Sequence, residues 1–213
     1  MTFSVSYRLF VNIILSAATI PSWSQTTQDG QAKEHSGYLA IAIARDTGWP
    51  SYSDQILYFR NSSSGEKLEV KLQIQSSLFH QKSPEEFSTS DCVGTVFVVP
   101  LSVGKYEIYN YRLMKAAGTT QLTWKAKEDY SIPFDIDADA VSYLGEFCLQ
   151  ARRGKNILGL PALDGGVWKV TDQSIRDLDI LNKRLPELVG KSVINAAPKP
   201  RESVPANVAD PKN

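Results

Sequence analysis

The chain has 213 residues, enough for one domain with extensions. Its 23 Lys and Arg balance its 23 Asp and Glu, so no overall field points to nucleic acid or to acidic membranes. Aromatic residues make up 10% of the sequence, enough for a core across the middle of the chain, and the two ends differ from that middle in composition.

Met1–Ser24 has the form of a secretory signal peptide. Arg8 supplies a weak charged start, Leu9–Ile20 an apolar run, Pro21 a break and Ser22-Trp-Ser24 a small-residue cleavage site, so Gln25 is the expected mature N-terminus. The alternative is a retained anchor, but the run falls short of the roughly 20 residues that cross a bilayer. No stable membrane span is expected, and without a cysteine near the cleavage site neither is lipid attachment there. The expected location is periplasmic or secreted. Export permits a disulfide between the two cysteines, Cys92 and Cys148. Cys148 alternates with Glu146 and Gln150, a face on which an inert thiol fits poorly, yet two thiols that never meet remain the alternative.

Residues 25–36 read as a flexible lead-in. Tyr38–Ala44, large residues spaced by alanines, reads as a strand packed on both faces. A loop with Trp49, Pro50 and Tyr52 leads to a strand at Gln55–Arg60, and Asn61–Gly65 is turn material that also contains a glycosylation sequon. In Lys67–Gln75, Leu68, Val70, Leu72 and Ile74 alternate with charged or amide residues, the pattern of an outer antiparallel strand with one wet side.

Ser76–Asp91 reads as a polar loop with one helical turn at Ser83–Phe87. Val93–Val99 is a strand too apolar to face water. Gly104 turns the chain into a strand at Lys105–Leu113, with Tyr106 and Ile108 on one face and Tyr109 and Tyr111 on the other. Gln121–Ala126 is a short strand. Tyr130–Ile136 and Val141–Leu149 are expected to pair around a turn at Asp137–Ala140. A glycine-rich passage, Gly154–Gly166, precedes a strand at Val167–Val170. Asp172 reads as an N-cap, and Ile175, Leu178, Leu181 and Leu185 predict an amphipathic helix over Asp172–Arg184 laid on the sheet. The tail, 191–213, is polar, interrupted by prolines and expected to be disordered.

Short strands with frequent turns, one late helix and no strand–helix–strand rhythm predict a mainly β fold over 37–190: an antiparallel β-sandwich, immunoglobulin-like in layout, with a C-terminal helix. Leu101, Gly104 and Tyr106 make a Leu-x-x-Gly-x-Tyr turn, in which the Tyr hydroxyl can anchor a corner on the backbone. Pro100–Tyr106, Ile132–Ile136 and Val141–Gly145 together resemble exported bacterial proteins with a prealbumin-like or carboxypeptidase-regulatory-like sandwich. That group favours prolines where this chain has Ser102 and Val103. The resemblance implies an envelope or extracellular setting and a non-catalytic role.

Catalytic chemistry is poorly represented. His35 and His80, the two histidines, lie in polar stretches; a hydrolase built on His80 lacks a nucleophile elbow. No zinc-ligand spacing and no phosphate-binding glycine loop occurs, and no cofactor is expected. Asp135, Asp137 and Asp139 match alternate acidic positions of a calcium loop, but Ala140 replaces its turn glycine and both flanks read as strands. Trp49 and Tyr52 in their loop, and Tyr109 and Tyr111 on their strand, are the candidate binding residues. The expected function is therefore a non-enzymatic exported module that binds or assists an envelope protein or glycan. The alternative is a calcium or small-ligand module using the Asp135–Asp139 arc or the Trp49 loop.

Overall fold

The structure, a computed structural model, describes residues 36–74, 81–117, 120–198 and 208–209. In chain order the elements are β1 (Ser36–Asp46), β2 (Asp54–Asn61), β3 (Lys67–Gln73), β4 (Phe87–Ser88), β5 (Cys92–Ser102), β6 (Gly104–Ala117), β7 (Thr120–Lys125) and β8 (Ile132–Ile136). There follow β9 (Ala140–Lys155), β10 (Pro161–Thr171), helix α1 (Ser174–Arg184), a 3-10 turn at Pro186–Leu188, β11 (Ser192–Asn195) and β12 (Val208–Ala209). The signal-peptide and lead-in segments, His35, His80 and most of the tail lie outside the described residues.

β1 is the strand on which both cores are built. It pairs antiparallel with β5 and parallel with β9 inside a seven-stranded sheet ordered β12-β10-β9-β1-β5-β4, with β11 also against β9. Successive side chains of a strand point to opposite faces. Leu39, Ile41 and Ile43 therefore enter one buried cluster, and Ala40, Ala42 and Ala44 enter another; all six are fully buried. The first cluster is shared with a five-stranded sheet ordered β3-β2-β6-β7, with β8 also on β6, through Leu57, Phe59, Val70, Leu72, Tyr106, Ile108 and Phe134. The second is closed by Leu181 of α1 and by Leu188, so the alanines make room for the helix. Burying each leucine-sized side chain stabilises by about 1.5–3 kcal/mol, and β1 contributes to both clusters at once.

β3 is an edge strand with Val70 and Leu72 buried and Lys67 and Glu69 exposed, as its alternation predicts. The Tyr106 hydroxyl donates to the Ser102 carbonyl oxygen at 3.1 Å, the bond expected of the Leu101–Tyr106 turn.

Four elements differ from expectation. Ser83–Phe87 forms no helical turn: the Glu86 amide donates to the Gly94 carbonyl, the Val96 amide donates to the Glu86 carboxylate at 2.8 Å, and buried Phe87 joins the sheet, so tertiary pairing overrides local propensity. β8 and β9 do not pair; β8 bonds β6 and β9 bonds β1, so the Asp137–Ala140 turn carries the chain from one sheet to the other. Gly154–Gly166 is mostly strand, the distal part of a long β9–β10 hairpin. In the expected tail, Ser192–Asn195 pairs with β9 and Val208–Ala209 with β10.

β9 serves two neighbours on one edge by bending. Ala140–Tyr143 pairs with β11, and Glu146–Lys155 with β10. Between them two residues, Leu144 and Gly145, oppose Ile41 alone, a β-bulge. Gly145 has φ 93°, and a Cβ there would sit 2.9 Å from the Thr171 carbonyl oxygen, so glycine alone suits the position.

α1 begins at Ser174 with Gln173 as N-cap, one residue after the expected Asp172, whose carboxylate accepts the Ser174 amide at 2.9 Å. Leu178, Leu181 and Leu185 face the sheet as their spacing predicts. Ile175 does not: it is 91% exposed, while Asp177 is fully buried.

Candidate functional site

β6 decides which aromatic side chains reach the surface. Phe59 of β2 lies opposite Ile108, but the preceding Tyr58 lies opposite Asn110, so Tyr109 is an extra residue in β6. Such a bulge reverses the in–out phase of everything after it. Tyr106 and Ile108 point into the core before it, and Tyr111 and Leu113 point into the core after it. Tyr111 is thus buried against Trp168, with ring centroids 6.3 Å apart, and the expected shared face of Tyr109 and Tyr111 does not form. Asn110 fixes the irregularity: its side-chain oxygen accepts the Tyr111 amide at 2.8 Å and its nitrogen donates to Asp129 at 2.8 Å.

Tyr109 remains on the outer face of the five-stranded sheet, with Tyr58 beside it at 6.1 Å between ring centroids. Cations lie against both rings. The Arg60 guanidinium is 4.8 Å and the Lys67 ammonium 5.5 Å from the Tyr109 centroid; the Arg112 guanidinium is 5.7 Å from that of Tyr58. Burial pushes both tyrosine hydroxyls above their ordinary pKa, so they stay protonated and can donate.

The two ends of this face differ electrostatically. At one end Arg60 bonds Glu107 at 2.5 Å and Asp129 at 3.3 Å. Burial works against the Glu107 carboxylate, but hydrogen bonds from Ser131 and Arg60 outweigh it and hold its pKa below the usual range. At the other end, register places Lys71, Ile56, Arg112 and Lys125 in one row across β3, β2, β6 and β7. Directly opposed residues share a face, and like charges so placed repel. Lys71 reaches Asp54 at 3.9 Å, whereas among the described residues no ion pair reaches Arg112 or Lys125. The Arg112 Nε is buried without an acceptor. Ile56, between Lys71 and Arg112 in this row, is 1% exposed.

The other predicted residues are scattered. Trp49 projects at 75% exposure, after which a cis peptide bond leads into buried Pro50. Tyr52 is buried; its hydroxyl donates to the Gly165 carbonyl oxygen at 2.8 Å and its ring meets Trp124 edge-on at 5.2 Å, so it pins the loop rather than lining a surface. Asp135, on β8 before the inter-sheet turn, pairs with Lys105 at 3.2 Å; within the turn Asp139 pairs with Lys191 at 3.4 Å and Asp137 is exposed.

Cys92 and Cys148 form a buried disulfide, with Cα atoms 6.3 Å apart, between the two strands flanking β1. Cys148 does share its face with Glu146 and Gln150, and the Gln150 amide lies 3.3 Å from its sulfur. Glu146 belongs to a network, centred on Arg176, that the sequence concealed. Arg176 donates to Glu146 at 2.7 Å and to Asp177 at 2.6 Å, lies 3.6 Å from the Phe87 ring centroid, and Tyr143 donates to Asp177 at 2.5 Å. Burial raises the Asp177 pKa, and bonds from Tyr143 and Arg176 offset only part of that. Cys92, Glu146 and Cys148 are the one group of three potential metal ligands gathered among the described residues, and two of them are committed to the disulfide. The bond from half-buried Arg176 to buried Glu146 ties α1 to the sheet here.

No family model matches the chain, and no curated protein matches it. A solved leucine-rich repeat protein from Bacteroides thetaiotaomicron is similar over 56% of this chain and 14% of its own length, with 11% identity and a TM-score of 0.34.

Proposed function

We propose that the chain is an exported, non-enzymatic module, a two-sheet sandwich of the prealbumin type, which binds an acidic glycan of the envelope on the outer face of its five-stranded sheet. Support for the sandwich comes from the core shared by the two sheets and from the Tyr106–Ser102 corner. Support for the ligand rests on one observation: Arg112, its Nε buried without an acceptor, is held beside Tyr58 and opposite Lys125 with no carboxylate pairing either among the described residues. A carboxylated sugar satisfies both needs. Its ring can lie against a tyrosine, and its carboxylate can take the charge-assisted bonds that the protein leaves unmade.

The test is calorimetric titration of the mature protein with an oligouronate and with the neutral oligosaccharide of the same length. The oligouronate should bind more tightly, and Tyr58→Ala and Arg112→Ala should each weaken it about tenfold, a loss of about 1.4 kcal/mol. Equal affinity in the wild type and both variants would move the site elsewhere. Absence of binding to either sugar would remove the ligand class.

A further inference from the structure

The β9–β10 hairpin ends in an apolar tip that the rest of the protein does not cover. Ile157 is 100%, Leu158 76% and Leu160 56% exposed. Exposed aliphatic side chains grouped at a projecting turn are unusual on a protein that works only in water.

The turn is stiffly built. The Asn156 side-chain oxygen accepts the amides of Leu158 and Leu160, both at 3.0 Å. The Asn156 amide donates to the Leu160 carbonyl and the Gly159 amide to the Asn156 carbonyl, each at 2.9 Å. Pro161 has no amide proton. Four of the tip's N–H groups are therefore satisfied within the tip itself. That removes most of the cost of taking a backbone turn out of water, where unsatisfied polar groups are expensive.

The charge nearest the turn is positive, and the first acidic residue, exposed Asp164, lies further back in β10 across from Arg152. From Phe147 to Leu163 the chain carries Arg152, Arg153 and Lys155 and no acidic residue. Arg153 is held by Asp46, with one bond at 2.8 Å. Arg152 and Lys155 are exposed, and no ion pair reaches either among the described residues. Lys155 immediately precedes the turn, and Arg152 lies three residues further back, roughly 10 Å along the strand. A headgroup layer is roughly 5–7 Å thick on each side of the hydrocarbon. Three aliphatic side chains at the acyl boundary would thus put Lys155 among the headgroups and Arg152 just outside them, within about one screening length of their charge.

We infer that the Asn156–Leu160 tip of the β9–β10 hairpin inserts into the interface of a lipid bilayer bearing anionic headgroups, with Lys155 contacting those headgroups and Arg152 drawn toward them from just outside. The surface is separate from the Tyr58–Arg112 face and does not rest on the glycan reading.

The test is sedimentation of the mature protein with vesicles of phosphatidylcholine alone or mixed with phosphatidylglycerol. The protein should sediment with the mixed vesicles and remain in solution with the neutral ones. Ile157→Ser with Leu158→Ser should weaken sedimentation about tenfold, and Arg152→Gln with Lys155→Gln should weaken it and reduce its sensitivity to salt. These positions are exposed, so unchanged circular dichroism will show that the variants fold. A Leu158→Trp variant should also shift its emission to the blue on mixed vesicles and be quenched by brominated lipid. Wild-type protein that ignores both vesicles, or serine variants that sediment equally, would overturn the inference. So would a lipid-free dimer that the serine pair dissociates, since the tip would then be covered by a second copy.

Discussion

The Tyr143 hydroxyl donates to the Asp177 carboxylate at 2.5 Å, joining β9 to a carboxylate of α1 that has no exposure to water. Tyr143→Phe removes this donor while keeping the ring. The buried acceptor then loses one of its partners, and the expected cost is about 1–3 kcal/mol, read as a lower midpoint in urea denaturation. The hydroxyl also accepts the Gln173 amide at 3.2 Å, so the start of α1 should exchange its amide protons faster in the variant.

Two carboxylates should give opposite pH dependences. Asp177 is held above its ordinary pKa, so the folded state favours its protonated form. Its contribution is fully present below the unfolded pKa, about 3.9, and is lost as pH rises through the native value. Glu107 is held below its ordinary pKa. Its contribution is present above about 4.3 and is lost as pH falls through the native value. Denaturation across the acid range should therefore lose less stability on acidification in Glu107→Gln than in the wild type. Relative to the wild type, Asp177→Asn should lose less stability as pH rises from the carboxylate range toward neutrality.

α1 offers a paired test of its orientation. Leu181 is fully buried against the alanines of β1, and Leu181→Ala should cost about 2–5 kcal/mol. Ile175 sits at 91% exposure on the same helix, and Ile175→Ser should change stability by less than about 0.5 kcal/mol. Thermal melts of the two variants make the comparison.

The Cys92–Cys148 bridge closes a segment of 56 residues. Removing it through the double change to alanine should cost about 2–5 kcal/mol, mainly by loosening the unfolded chain. Thiol titration of the native protein should find no reactive cysteine, because both sulfurs belong to a buried bond.

What could be read in advance followed from local periodicity. The alternation in Lys67–Gln73 placed Val70 and Leu72 inside, and the alanines of β1 announced a strand covered on both faces. The Tyr109–Tyr111 face failed because one extra residue in β6 reverses the phase, and nothing in the tyrosine-rich run marks which residue is extra. Ile175 misled because apolar spacing carries no information about where the helix axis points. Asp177 was missed for the complementary reason: a charged residue is buried only when partners meet it, and Tyr143 lies 34 residues away in sequence. The Arg112–Lys125 row was hidden likewise, since it exists only once β6 and β7 pair in register.

The parallel partnership of β1 and β9 sets an order on biogenesis. Tyr38 leaves the ribosome long before Val141, the residue it must lie beside. Until β9 emerges, one edge of an aliphatic strand is open to any neighbouring chain, the situation in which nascent proteins aggregate. Synthesis halted before Ala140 should therefore yield insoluble fragments. A polypeptide crossing a membrane unfolded would need shelter for this edge until its last third arrives.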